Sequence, residues 1–202
     1  MTPTPDDVRE VARLAERLCG IVLGESKGYL VQARLGRLAG EGAGGSYAEL
    51  CRVAERDAEV RSRFVDAITT NETLFFRDAA PFEVLRHRVL PMIVDRNAGT
   101  DHERRIRIWS AACATGQEPY SLSMLLHELL PDVHAWDVEI LATDISEQAL
   151  AHAAAGLYSR AEVERALGED ALRRHFDPDG DGFRVMDSVR SLVSFRQLNL
   201  LE

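Results

Sequence analysis

Before Thr69 the apolar positions recur at helical spacing. Val8, Val11, Leu14, Ala15 and Leu18 share one face of a first helix. Residues 29–38 form a second, with Leu30, Leu35 and Leu38 inward and Lys27, Arg34 and Arg37 outward. Residues 40–45 read as a Gly-rich loop, and Ser46 with Glu49 has the capping-box spacing that opens a third helix. A fourth, over 58–68, buries Val60, Phe64, Val65 and Ile68. Residues 69–78 break the period. Asp78 is placed to cap the next helix, whose stripe is Phe82, Leu85, Val89 and Ile93, with Pro81 in its first turn. Residues 96–105 are polar and charged, as a surface connection would be.

The period then changes. Residues 106–109 predict a short strand, 110–118 a loop of small residues, and a helix from Pro119 turns Leu122, Leu125, Leu126 and Leu129 inward. Residues 138–143 predict a second strand ending in Asp144, followed by a helix from Ser146 that stops at Gly156. Strand, loop, helix, strand, helix in this order predicts a parallel, doubly wound α/β sheet behind an all-helical N-terminal domain. Short helices over 161–176 follow. Residues 183–186 and 192–195 read as a small hairpin, and 195–198 as the approach to a third central strand.

Composition narrows the function. A hydrophobic fraction of 46% excludes wholesale disorder, and a net charge of −9 argues against general nucleic-acid binding. No apolar run approaches the ~18 residues of a membrane span, and the polar first residues do not follow a signal-peptide plan, so a cytoplasmic protein is expected. Cys19, Cys51 and Cys113 are odd in number and far apart, which suits free thiols in a reducing compartment. No spacing of Cys or His suggests a metal centre. Asp177-x-Asp179-x-Asp181-Gly182 copies the start of a calcium loop, but its twelfth position is Ser188, which excludes the bidentate acid.

In a doubly wound sheet, ligands bind at the carboxyl ends of the strands. Ala111, Ala112, Ala114 and Gly116 allow close backbone approach there, yet the loop lacks the Gly-x-Gly-x-x-Gly of a pyrophosphate site. Glu118 at the start of the helix suits an ammonium or a ribose hydroxyl, or simply complements the helix dipole. Asp144 suits a ribose diol, or caps the following helix with Glu147 at box spacing. The segment Thr69-Thr70-Asn71-Glu72-Thr73-Leu74-Phe75-Phe76-Arg77 joins amide, hydroxyl and guanidinium groups to two rings; residue type alone leaves it between a ligand frame and an interdomain turn.

That segment occurs in order with Trp109-Ser110-Ala-Ala-Cys-Ala-Thr-Gly-Gln-Glu-Pro-Tyr-Ser121, Ala142-Thr-Asp-Ile145, Gly156-Leu-Tyr158 and Asn199-Leu-Leu201. Together these runs resemble the CheR family, chemotaxis-receptor glutamate methyltransferases that use S-adenosylmethionine and release S-adenosylhomocysteine. Gln117 departs from the family, which usually has an acid there. The resemblance implies cofactor contacts at Asn71, Thr73, Arg77, Glu118, Asp144 and Asn199, with Leu200 contributing its backbone. It implies that Arg77 lies near the transferred methyl or the cofactor's carboxylate, a catalytic role. It also implies a helical domain, 1–78, that docks the cytoplasmic helical region of a methyl-accepting receptor through Lys27, Arg34 and Arg37. The methyltransferase domain, 79–202, would carry an inserted β-subdomain at about 177–195, whose short turn speaks against dependence on a receptor tail. No nucleic acid, metal or membrane insertion is expected, and a monomer is expected for the full-length fold. The family's fold continues beyond what these 202 residues supply. The chain is therefore expected to hold part of the catalytic domain, to bind cofactor weakly and to turn over poorly alone; the alternative is a non-catalytic docking module.

Overall fold

A computed structural model describes residues 1–41, 45–97, 104–130 and 132–202. The chain divides into two compact units: Met1–Thr70 with Ile145–Gln148 and Gln197–Glu202, and Asn71–Asp144 with Ala149–Arg196.

The first unit is built on four helices. α1, Pro5–Cys19, starts at a full capping box: Thr4 Oγ1 accepts from Asp7 N at 3.2 Å and the Asp7 carboxylate accepts from Thr4 N at 2.8 Å. It ends at Gly20 in the left-handed region. α2, Gly28–Glu41, buries Val31, Leu35, Leu38 and Ala39. Gly40, expected in a loop, lies inside this helix; residues 42–44 of that expected loop fall outside the described residues. α3, Tyr47–Ala54, is capped by Ser46, whose hydroxyl accepts from Glu49 N at 3.1 Å. The box is only half formed, because the Glu49 carboxylate accepts from Arg52. α4, Ala58–Ile68, is capped by Asp57, which accepts from Glu59 N and Val60 N. Their shared core centres on Val11, Leu14, Leu35, Tyr47, Leu50, Phe64 and Ile68.

Two later segments belong to the same unit. The Asp66 carboxylate on α4 accepts from Ser146 Oγ at 2.7 Å and from Gln148 N at 3.4 Å. Ser62 Oγ donates to Glu147 at 3.1 Å, and Asn199 Nδ2 donates to the Leu18 carbonyl at 2.9 Å.

In the second unit β1, Arg105–Ala111, runs parallel to β2, Asp137–Asp144, with Ile108 opposite Ile140. A third strand, Val193–Gln197, lies on the other side of β2. α7, Gln117–Leu129, lays Leu122, Leu125 and Leu126 against Ile106 and Ile140. Before β1 come α5, Ala79–Val84, a π-helical turn, Leu85–Val89, and α6, Leu90–Asn97. Pro91 explains the turn: its ring excludes the regular bond to residue 87, and Leu90 N donates instead to Leu85 O, five residues back. The extra residue moves the buried position from the expected Val89 to Leu90. Asp78 makes no side-chain cap, contrary to expectation, because it sits in the left-handed region.

α8, Glu147–Ala155, ends at Gly156 as its sequence predicts. A second sheet then forms from Leu157–Ser159 (β3), Phe176–Asp179 (β4) and Gly182–Val185 (β5), antiparallel in the order β3-β5-β4. The short helices Arg160–Glu164 and Glu169–His175 connect β3 to β4. This corrects the expected hairpin partners. The Asp/Gly turn joins β4 to β5, while the apolar run at 192–195 belongs mostly to the central sheet, where Leu192 is buried with Ile140. The expected class, an all-helical part followed by a mixed α/β part with a parallel pair, is the one observed.

Replacing Asp66 with Ala removes the acceptor for Ser146 and Gln148. We expect a loss of about 1–2 kcal/mol in urea unfolding; no loss would mean the Asp66 bonds contribute nothing to anchoring 145–148.

Candidate functional site

Between β1 and α7 the chain must reverse within a few residues. It does so with Ala112 at φ +54°, Ala114 at φ +48° and Gly116 at φ +93°. The left-handed region costs an L-residue about 1–2 kcal/mol. Gly116 is also sterically required, since a Cβ there would lie 2.8 Å from the Ala153 Cβ. Three bonds hold the reversal. Cys113 N donates to Thr143 O at 2.9 Å, Gly116 N to Cys113 O at 3.0 Å, and Ala114 N to the buried Asp144 carboxylate at 2.8 Å. Asp144 therefore straps the loop to the end of β2. Glu118, in the first turn of α7, accepts from the buried Ser110 hydroxyl at 2.6 Å. It is exposed and forms no ion pair among the described residues.

Segment 71–77 is the second arm of the site in this unit. Phe75 is buried, edge-on to Tyr158 and Phe176 at 5.0 and 5.4 Å between ring centres. Phe76 N donates to Ser121 Oγ at 2.9 Å, and that hydroxyl donates on to Gln117 O at 2.6 Å, which ties the segment to α7. Arg77 is exposed, with its guanidinium donating to Glu72 O at 3.0 Å. Asn71 and Thr73 are half-buried, and their side chains make no hydrogen bond among the described residues. Phe76 and Asp78 have φ of +49° and +58°. Among the described residues, the non-glycine residues in the left-handed region are Phe76, Ala112 and Ala114, within these two segments, and Asp78, immediately after the second. Strain concentrated in this way is characteristic of ligand-binding backbone.

The remaining expected site residues belong to the first unit. Asn199 spends its side chain locally, donating to Leu18 O and accepting from Leu201 N; Leu200 is exposed. Lys27, in the 3-10 turn just before α2, and Arg37 on α2 are exposed. Arg34 is half-buried and donates to the carbonyls of Ile68 and Thr69 and to Thr70 Oγ1, covering the C-terminal end of α4. The sequence reading missed three supports: Ser110, Ser121 and Tyr158. Each stood inside a motif already singled out, but none has a spacing that reveals its partner. Cys113 is buried in the loop, and burial, reinforced by the nearby Asp144 and Glu118 carboxylates, pushes its thiol up to about 12. It is a packing group, not a nucleophile. Asp179 of the calcium-like run accepts from Arg184, and no metal-ligand cluster occurs among the described residues.

The site thus offers a carboxylate at the end of β2 and another in the first turn of α7, a close-approach loop without a phosphate cradle, and an arginine on the neighbouring segment. These groups fit the ribose, ammonium and carboxylate of S-adenosylmethionine better than a pyrophosphate. Comparison with known proteins decides the family. The family model described as "CheR methyltransferase, all-alpha domain" matches residues 6–69, and "CheR methyltransferase, SAM binding domain" matches 71–202. The chain belongs to the CheR methyltransferase family. It is 47% identical to Chemotaxis protein methyltransferase 1 of Pseudomonas aeruginosa, over 93% of this chain and 69% of that protein. It is 41% identical to Chemotaxis protein methyltransferase Cher2 of Pseudomonas putida, over 97% and 72%. It is 42% identical to the Chemotaxis protein methyltransferase of Vibrio parahaemolyticus, over 100% and 73%. This CheR chain is a methyltransferase whose cofactor is S-adenosylmethionine.

Two outcomes follow from the loop. Ala112 is exposed, so Ala112→Gly removes left-handed strain without losing packing; we expect stability to rise by about 0.5–1 kcal/mol, and a fall in a urea titration would contradict the strain. At pH 8 the Cys113 thiol stays protonated, because its titration is displaced to about 12. Alkylation followed by mass spectrometry should modify the half-buried Cys19 well before Cys113; the reverse order would contradict the buried assignment.

Proposed function

We propose that this chain transfers a methyl group from S-adenosylmethionine to glutamate side-chain carboxylates of a chemotaxis receptor, in the cytoplasm, as an adaptation enzyme. The relatives' names support the substrate class. The observation that carries the chemistry is the strained loop strapped by Asp144 beside Glu118. The cofactor supplies an electrophilic methyl on a sulfonium. The acceptor carboxylate is already ionised near neutral pH, so the chain has no need of a strong base. Its task is to place two partners in line and exclude water.

In this reading Asp144 accepts from the ribose hydroxyls while its bond to Ala114 N fixes its orientation. Glu118 accepts from the ammonium or a hydroxyl. Asn71 and Thr73 offer unengaged side chains, and Arg77 holds the cofactor's carboxylate or lies near the methyl. The family resemblance also implies Asn199 and the Leu200 backbone as cofactor contacts.

The helical part, taken as 1–78, docks a helical region of the receptor. Lys27, just before α2, and Arg37 on α2 carry that contact, and Arg34 holds the carbonyls of 68 and 69. The part from 79 to 202 binds the cofactor, and the protein acts as a monomer. Free cysteines support a reducing compartment, and no helix among the described residues is long and apolar enough to cross a membrane.

The test is transfer of labelled methyl to a receptor cytoplasmic fragment. Base-labile label on glutamate is the expected result, falling roughly 10- to 100-fold in kcat/KM for Arg77→Ala. Base-stable label, or label on nucleic acid, would overturn the substrate. Unchanged transfer by Arg77→Ala would remove that residue from the reading.

A further inference from the structure

One motif, Gly156-Leu-Tyr158, has so far carried no function. Its tyrosine lies on β3 at an edge of the small sheet, yet its side chain leaves that sheet for the cofactor-binding part of the same unit. The Tyr158 hydroxyl donates to the Thr115 carbonyl at 2.7 Å, inside the left-handed loop. Its ring meets Phe75, inside segment 71–77, edge-on at 5.0 Å. One buried side chain, 3% exposed, therefore touches both strained arms of the site. We propose that Tyr158 is a positioning residue that sets the 112–116 loop and the 71–77 segment in register for S-adenosylmethionine, and so couples the small sheet to the cofactor site. The inference rests on the cofactor reading of that site.

The surroundings leave Tyr158 little freedom. Its ring also meets His152 at 5.4 Å and Tyr120 at 6.3 Å. Gly116 allows the hydroxyl in: a Cβ at that position would stand 3.0 Å from it. On the other side β5 passes so close that a Cβ on Gly182 would collide with the Tyr158 carbonyl oxygen. Val185 N donates to Gly156 O at 2.9 Å and fixes the start of β3. Burial holds the hydroxyl well above the usual tyrosine range, with Tyr120, Glu162 and Cys113 adding to it, so the group remains a donor. A displacement of β3 thus passes to the Thr115 carbonyl through one short bond and a rigid ring.

Tyr158→Phe keeps the ring contacts and removes only the bond to Thr115. Tyr120→Phe is the matched control: it deletes a buried bond of the same 2.7 Å length, from the same aromatic cluster, to Ala153 O outside the loop. By calorimetry with S-adenosylhomocysteine, Tyr158→Phe is expected to bind roughly three- to tenfold more weakly than the unmodified chain, the equivalent of one hydrogen bond. Tyr120→Phe is expected to change less than twofold. With receptor fragment and S-adenosylmethionine, the loss should fall on the cofactor's KM and not on kcat.

Equal losses in the two variants would reduce Tyr158 to general stability and overturn the inference, as would wild-type affinity in Tyr158→Phe. If the unmodified chain binds no S-adenosylhomocysteine, the cofactor reading itself falls and takes this inference with it. Should Tyr158→Phe not fold, hydrogen exchange on the unmodified chain decides. Saturating S-adenosylhomocysteine is expected to protect 72–77, 112–117 and 157–159 together, and protection that leaves out 157–159 would overturn the coupling.

Discussion

A parallel strand that feeds a helix on the face of its own sheet must turn sharply at its carboxyl end, and here the turn uses alanine where glycine would be easier. Ala112 and Ala114 both sit in the left-handed region, at an intrinsic cost of about 1–2 kcal/mol each. What offsets that cost is local and specific. Asp144 accepts from Ala114 N, Thr143 O accepts from Cys113 N, and Cys113 and Ala114 are buried. Tyr158 holds the next carbonyl. Because the loop is held in this way, Ser110 and Glu118, eight residues apart, come within 2.6 Å at the head of α7. Without the strap, the chain would relax toward ordinary backbone and the two carboxylates would lose their fixed separation.

Much of this was legible in the sequence, for identifiable reasons. Helices α1, α3 and α4 carry a 3.6-residue apolar period, and α3 adds the polar cap at Ser46, two signals that rarely mislead together. β1 and β2 were found from short apolar runs ending in small or acidic residues. Glu118 and Asp144 stand out as candidates in the sequence because ligands collect at the carboxyl ends of parallel strands, whatever the ligand. The residues alone leave each with a bland alternative, a helix-dipole complement or a cap, and it is the family resemblance that implies a cofactor contact.

The misreadings also have physical causes. β4 contains Pro178 and two aspartates, a composition that argues against a strand, and it forms because Phe176 packs on the distant Phe75 as well as on Phe183 of the paired strand. The apolar run at 192–195 could pair with either sheet, and only burial beside Ile140 assigned it. Arg34 has the spacing of an outward cation; its carbonyl partners lie 34 and 35 positions away. The strain at Phe76, Asp78, Ala112 and Ala114 leaves no compositional mark at all, since none of the four is glycine.

That last point bears on how the site works. Had glycine occupied 112 and 114, the loop would reach the same shape with less cost but would also leave it readily. Alanine narrows the alternatives, and the bonds from Asp144 and Tyr158 select one of them. A carboxylate already fixed by a backbone amide needs little reordering when it accepts a ribose hydroxyl, so less binding energy is lost to organisation. In the proposed reading, the bond from Ala114 N that makes Asp144 structural also orients it as a ligand, so a structural role and a cofactor contact do not compete. Methyl transfer depends on in-line geometry more than on acid or base strength, and a loop that holds its shape before the cofactor arrives serves that requirement directly.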